Sequence, residues 1–254
     1  MKAIKTTYLF LLLFIAAFLS CSKSNSDNSA KTYVPVFAIL TEGSANDVYA
    51  KISYRYNNRN QLSEISMQKN NSITTISYEY SQEGTVSKAI VSSDISTRRY
   101  EYDFNYKNQR LGSYSLYSSG SITEVQIIWD PSGKSCTQVV TGTGAKVSFN
   151  FSEQGNIIDR TGTGITNVFK VGYGTGKGIF SDFPLQLGHF LPVQENLLEL
   201  YYGSTMEINS IYINGQANNF VSTYNRSGLL EKAELRPNTN DRFTYTFKYE
   251  SRVQ

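Results

Sequence analysis

The chain has 254 residues, enough for one large β domain or two small ones, and carries 24 Lys and Arg against 21 Asp and Glu for a net charge of +3. That balance is no basic footprint for nucleic acid. One histidine, His189, excludes a site needing two histidine ligands, and two cysteines, Cys21 and Cys136, exclude a disulfide framework.

The chain opens on a leader. Lys2 and Lys5 form a short positive region, and an apolar run from Tyr8 to Leu19 follows. It falls short of the ~20 apolar residues that a bilayer-spanning helix needs. Ser20-Cys21 closes it; a small residue before the cut fits a secretory signal, and the cysteine directly after it resembles the bacterial lipoprotein signal. The reading is a lipoprotein signal peptide over 1–20 and a lipidated Cys21 that begins a flexible polar tether over 21–32. The other reading is an ordinary cleaved signal with an incidental cysteine. Acyl chains bury methylenes at about 0.8 kcal/mol each, so a multiply acylated cysteine anchors stably. The expected address is the outer membrane, lipid-anchored, with its periplasmic and cell-surface faces both open.

From 33 to 254 one hairpin motif recurs. Its pattern is an aromatic, a turn-opening polar residue, two variable residues, Gly or Asn, one more residue and then an aliphatic. The copies run over Tyr56–Leu62, Tyr80–Val86, Trp129–Ser135, Phe151–Ile157 and Tyr224–Leu230, the third ending in Ser135, with a copy one residue shorter from Tyr106 to Leu111. Asp130-Pro131-Ser132-Gly133 meets the preferences of a type I turn closed by a glycine bulge, so each copy predicts a hairpin tip. Successive aromatics at Tyr56, Tyr80, Tyr106, Trp129 and Phe151 lie 24, 26, 23 and 22 residues apart, room for two strands and two turns. Between tips, Tyr100, Tyr102, Phe104 and Tyr106 alternate with Glu101, Asp103 and Asn105, as do Phe243, Tyr245, Phe247 and Tyr249 with Thr244, Thr246 and Lys248. One face of the sheet is aromatic and the other polar.

The tyrosine-rich repeat resembles the YD repeats of large bacterial shell and adhesin-like proteins. Together with the leader it resembles Bacteroidetes-type lipoproteins whose domain of unknown function is described as porin-like in fold. That resemblance implies an outer-membrane setting and offers no catalytic residue to carry over. The expected fold is all-β: an antiparallel meander of hairpins rolled into a closed or nearly closed β-barrel, with one short helix or plug.

The repeat lapses after Phe180. Apolar residues at 193, 197, 200 and 201, between Pro192 and Gly203, fit a short helix over 193–202, and a drifted hairpin is the alternative. Just before it, Gly172, Gly174, Gly176 and Gly178 match neither a phosphate loop nor a dinucleotide fingerprint; they predict a strand with one bare face, as where a sheet bends sharply or another segment packs close.

Chemistry is sparse. His189 lacks a nucleophile elbow, Cys136 reads as a buried small residue, and the carboxylates have no calcium-loop spacing. Neither a cofactor nor a metal site is expected. Candidate ligand contacts are Trp129, Tyr78, Tyr102 and Tyr245, because Trp and Tyr rings stack sugars or line apolar cavities. Around eight strands already enclose an interior that side chains just fill. The period supplies 14 to 16, so the lumen is expected to hold a plug, water or a ligand. The leading expectation is a non-catalytic envelope lipoprotein binding a ligand or partner, with glycan favoured. A structural or assembly factor comes second, and a hydrolase with carboxylates brought together by the fold comes third.

Overall fold

The computed structural model describes residues 31–43, 47–97, 99–162, 169–196, 205–213, 216–236 and 242–253. The leader, Cys21 and the tether up to residue 30 lie outside them. Alternating apolar and polar residues build a meander of strands: β1 Lys31–Glu42, β2 Asp47–Tyr56, β3 Leu62–Lys69, β4 Ser72–Tyr80, β5 Val86–Ser93 and β6 Tyr100–Lys107. There follow β7 Arg110–Ser118, β8 Ser121–Trp129, β9 Ser135–Val140, β10 Lys146–Phe151, β11 Ile157–Gly162 and β12 Phe169–Lys177. After the helix α1, Leu187–Asn196, come β13 Met206–Ile213, β14 Gln216–Tyr224, β15 Leu230–Arg236 and β16 Phe243–Val253. Each strand pairs antiparallel with its sequence neighbour, and β1 meets β16 to close a sixteen-stranded barrel. The first strand starts at Lys31, two residues ahead of the boundary expected at Tyr33.

The repeated motifs form the tips along one rim. Asn60, Gly84, Gly133, Gly155 and Gly228 all have positive φ, between 60° and 82°. The turn at each is closed by a backbone bond such as Gly84 N–H to Ser81 O (3.1 Å) or Gly133 N–H to Asp130 O (3.0 Å). The pairing register then slips by one residue, as between Glu79 and Tyr80, which is the bulge that reconciles a type I turn with strand twist.

The motif aromatics have a second task. Pairing of β3 with β4 ends at Glu64↔Ser77, short of Leu62, and the Tyr80 hydroxyl donates to the Leu62 carbonyl at 2.6 Å. Trp129 Nε1–H does the same for Leu111 O (2.8 Å), Tyr173 for Ile157 O (2.6 Å) and Tyr249 for Leu230 O (2.9 Å). A polar aromatic thus satisfies a carbonyl that the splayed sheet leaves over. Between β9 and β10 the ladder runs on to Asn150↔Ser135 and Phe151 N–H reaches Lys134 O, so a phenylalanine suffices there.

The barrel faces are opposite in polarity. Inward, Leu62, Ile65, Ile76, Val86, Ala89, Tyr102, Leu111 and Phe149 are buried in one continuous apolar cluster. Outward, cross-strand polar pairs recur: Arg55–Glu64 (3.3 Å), Lys88–Glu101 (2.7 Å), Lys88–Asp103 (3.3 Å), Ser115–Glu124 (3.0 Å) and Asn150–Asp159 (2.7 Å). A barrel that spans a bilayer carries an apolar outer band, and this one carries charges. Several strands, up to the 12 residues of β1, reach the ~9–11 residues that a spanning strand needs, so it is the charged outer face and not strand length that opposes spanning.

The lumen is filled from the tip rim. Ile179, Phe180, Leu191 and Val193 join the core cluster. Phe180 meets Tyr54 of β2 edge-on at 5.6 Å, and Phe190 meets Phe149 of β10 at 6.1 Å, so the segment reaches strands on opposite sides of the barrel. The helix begins earlier than the expected 193–202, with Pro192 inside it. Its start is fixed by His189, whose Nδ1 accepts the Gln186 N–H (3.0 Å) while the Gln186 carbonyl accepts the His189 and Phe190 amides. The His189 side chain thus supplies one half of a capping box, with histidine in place of glutamate, and the Gln186 backbone supplies an ordinary helical carbonyl. The close packing expected beside the alternate glycines is present: a Cβ on Gly172, Gly174 or Gly176 would run into Ser210, Glu207 or Tyr224.

Candidate functional site

The short sixth-strand tip makes the site. Where the other tips of this rim have five residues between paired positions, or six between Trp129 and Cys136, Tyr106↔Leu111 encloses four, and Lys107 pairs directly with Arg110. The two residues between, Asn108 and Gln109, both take positive φ (51° and 61°), the two-residue turn that usually asks for Asn-Gly. Glutamine in that conformation is strained, and strain of this kind collects at functional sites. Between the taller tips at 81–85 and 130–134 the rim is therefore notched.

A cavity of about 810 Å³ occupies the notch, lined by Glu83 and Thr85 of one tip, Tyr106 to Leu111 without Lys107, Trp129, and Gln186 and Leu187 of the plug. A neighbouring cavity of about 420 Å³ shares Asn108, Arg110, Leu111 and Trp129 with it and adds Lys107. The larger volume falls within the roughly 300–1,000 Å³ of ligand sites.

Each wall has a local cause. Trp129 is fixed by its bond to Leu111 O and by Phe151, stacked on it at 5.4 Å and 25°. The Arg110 guanidinium lies over the indole, 5.6 Å from its centre, and also against Gly133, where a Cβ would come within 2.5 Å of Nη2. The plug wall is held by the Gln186 amide, which accepts from Val86 N–H (3.0 Å) and donates to Gly84 O (3.2 Å).

Tyr106 departs from the pattern. By analogy with Tyr80 and Trp129 its hydroxyl would reach the Val86 carbonyl, yet this buried oxygen has no hydrogen-bond partner and faces Gly188, where a Cβ would sit 2.7 Å away. Burial holds its pKa above the ordinary tyrosine value.

His189 lies behind this wall in the core, 1 % exposed. Because Gln186 N–H donates to Nδ1, Nε2 carries the proton and donates to the Tyr80 oxygen (2.7 Å), whose own proton goes to Leu62 O. Burial pushes its pKa down from 6.5 to about 3, so the ring stays neutral. The Tyr78 hydroxyl donates to the His189 carbonyl at 3.0 Å.

Of the four sequence candidates, the structure brings only Trp129 to the cavity. Tyr78 is committed to the plug, Tyr102 packs between Phe104 and Tyr114, and Tyr245 stacks on Phe247. The tyrosine-lined lumen expected from strand number is taken up by the plug and by the core side chains. Sequence reasoning missed Arg110, Tyr106 and Gln186; the missing residue after Tyr106 was the available signal. Cys136 is buried as expected.

No family model and no curated protein matches this chain. Among solved structures it is similar to a porin-like protein from Bacteroides uniformis, with a TM-score of 0.52 and 14 % identity over 85 % of this chain and 96 % of that one. At that identity the similarity speaks for the fold, and the fold of this chain is a porin-like closed barrel.

Proposed function

We propose that this protein is a non-catalytic outer-membrane lipoprotein, anchored through Cys21, that binds a glycan in the rim notch. The observation that carries the reading is the notch itself: one missing tip residue opens a cavity onto a fixed indole and an arginine without a carboxylate partner among the described residues. Amide and hydroxyl groups of Thr85, Asn108, Gln109 and Gln186 around it suit a polyhydroxylated ligand. The charged outer wall supports attachment by lipid over insertion by strands.

The test restores the missing residue. A glycine inserted between Asn108 and Gln109 lengthens the tip to match its neighbours and closes the notch. The purified full chain is expected to bind saccharides on an array, and the insertion variant to lose that binding with an unchanged melting temperature. Equal binding by both proteins refutes the site.

An assembly role draws on a different observation. At the opposite rim Val48, Ile73, Ile95, Tyr117 and Ile122 are exposed beside the strand connections, Ile95 at 74 %. Contact with another envelope protein would cover them, and cross-linking from that rim tests this reading.

A further inference from the structure

We propose that the rim notch recognises a carboxylate-bearing saccharide, with Arg110 as its anion contact; the inference rests on the ligand-binding reading above and names the class of ligand.

The argument starts from what Trp129 can offer. A neutral sugar is usually gripped by a free aromatic face. Phe151 is stacked on one face of the indole, which leaves the guanidinium only the other, and there Arg110 lies. The notch therefore presents a flat cation backed by an aromatic ring. A guanidinium presents N–H groups whose spacing matches the two oxygens of a carboxylate, and Arg110 spends none of them on a carboxylate of the described residues.

The position of Arg110 is built. It opens a strand directly after the two-residue turn, it lies on the indole, and it occupies space that any residue but glycine at 133 would fill. Among the described residues it forms no ion pair. Lys107, its partner across the turn, forms none either and lines the adjoining cavity, so a second cation flanks the same groove.

The remaining groups narrow the class. Glu83 stands in the same wall, and its fixed negative charge disfavours a doubly charged phosphate while accepting hydrogen bonds from ring hydroxyls. One carboxylate on a hydroxyl-rich frame satisfies all of these groups together.

The experiment uses methyl galacturonoside, which carries one carboxylate, and its methyl ester, which differ in charge and little in shape, titrated calorimetrically into the full chain in detergent. The acid is expected to bind at least tenfold more tightly than the ester, with the preference weakening as salt rises. Arg110→Gln should abolish the preference, Arg110→Lys should restore part of it, and Gly133→Ala should reduce it by displacing the guanidinium; melting temperatures report folding of each variant. If acid and ester bind equally and Arg110→Gln changes neither, the anion contact is refuted while the notch remains a saccharide site. If neither saccharide binds, both readings fall.

Discussion

Tyr80 and Tyr106 occupy the same position of the repeat and differ in the bonds of their hydroxyls. The Tyr80 hydroxyl donates to Leu62 O and accepts from His189, whereas that of Tyr106 has no partner. Tyr80→Phe should therefore cost about 1–3 kcal/mol in denaturant unfolding, because a buried carbonyl and an imidazole N–H both lose their partner. Tyr106→Phe should change stability by less than about 0.5 kcal/mol, because no protein bond is broken. His189 adds a pH dependence whose sign is fixed. The unfolded chain takes up a proton on this residue below 6.5, and the folded chain does so only near 3. Between those values the unfolded state binds more protons, so stability falls as pH falls, by up to about 1.4 kcal/mol per pH unit from this residue. His189→Gln should be less stable at neutral pH and should show a shallower loss between pH 6.5 and 4 in parallel denaturation curves.

Among the elements, the tips explain which parts of the fold were legible in sequence. Turn chemistry is local: the tip that begins Asp130-Pro131-Ser132-Gly133 has its donors and its left-handed glycine within the six residues 130–135, and the turn forms as the residues dictate. The plug was harder to read. Its helix start depends on a His189 nitrogen capping Gln186 and on tyrosines more than a hundred residues away, so an apolar period and a proline pointed nearly two turns too late. The site was harder still, since Trp129, Arg110 and Gln186 meet only when the barrel is rolled. Glycines at two tips separate backbone strain from local contact. Gly133→Ala and Gly155→Ala both force alanine into positive φ, at a cost of about 1 kcal/mol. Only the first meets a side chain, because nothing lies within 4 Å of a Cβ at 155. Trp129 is the one tryptophan of the chain, so its fluorescence should shift in Gly133→Ala as Arg110 leaves the ring and stay unchanged in Gly155→Ala.

As a whole molecule, the barrel inverts the polarity of a membrane pore. Sixteen strands would leave an aqueous channel in a spanning barrel. Here the aromatic face points inward onto a plug, and paired charges point outward. Such a wall is stable in water, where each ion pair is worth little but no charge loses its hydration. In hydrocarbon the same charges would be costly, by roughly 2–4 kcal/mol for each Lys or Arg at mid-depth. On the proposed reading, membrane attachment comes instead from a lipid carried by Cys21. The most direct measurement is fractionation of Cys21→Ala beside the unaltered chain, with carbonate extraction of the membranes. The account predicts that the unaltered chain stays with the membrane and takes up labelled palmitate, while Cys21→Ala is soluble, folded and unlabelled. A Cys21→Ala protein that remains embedded after extraction would contradict it.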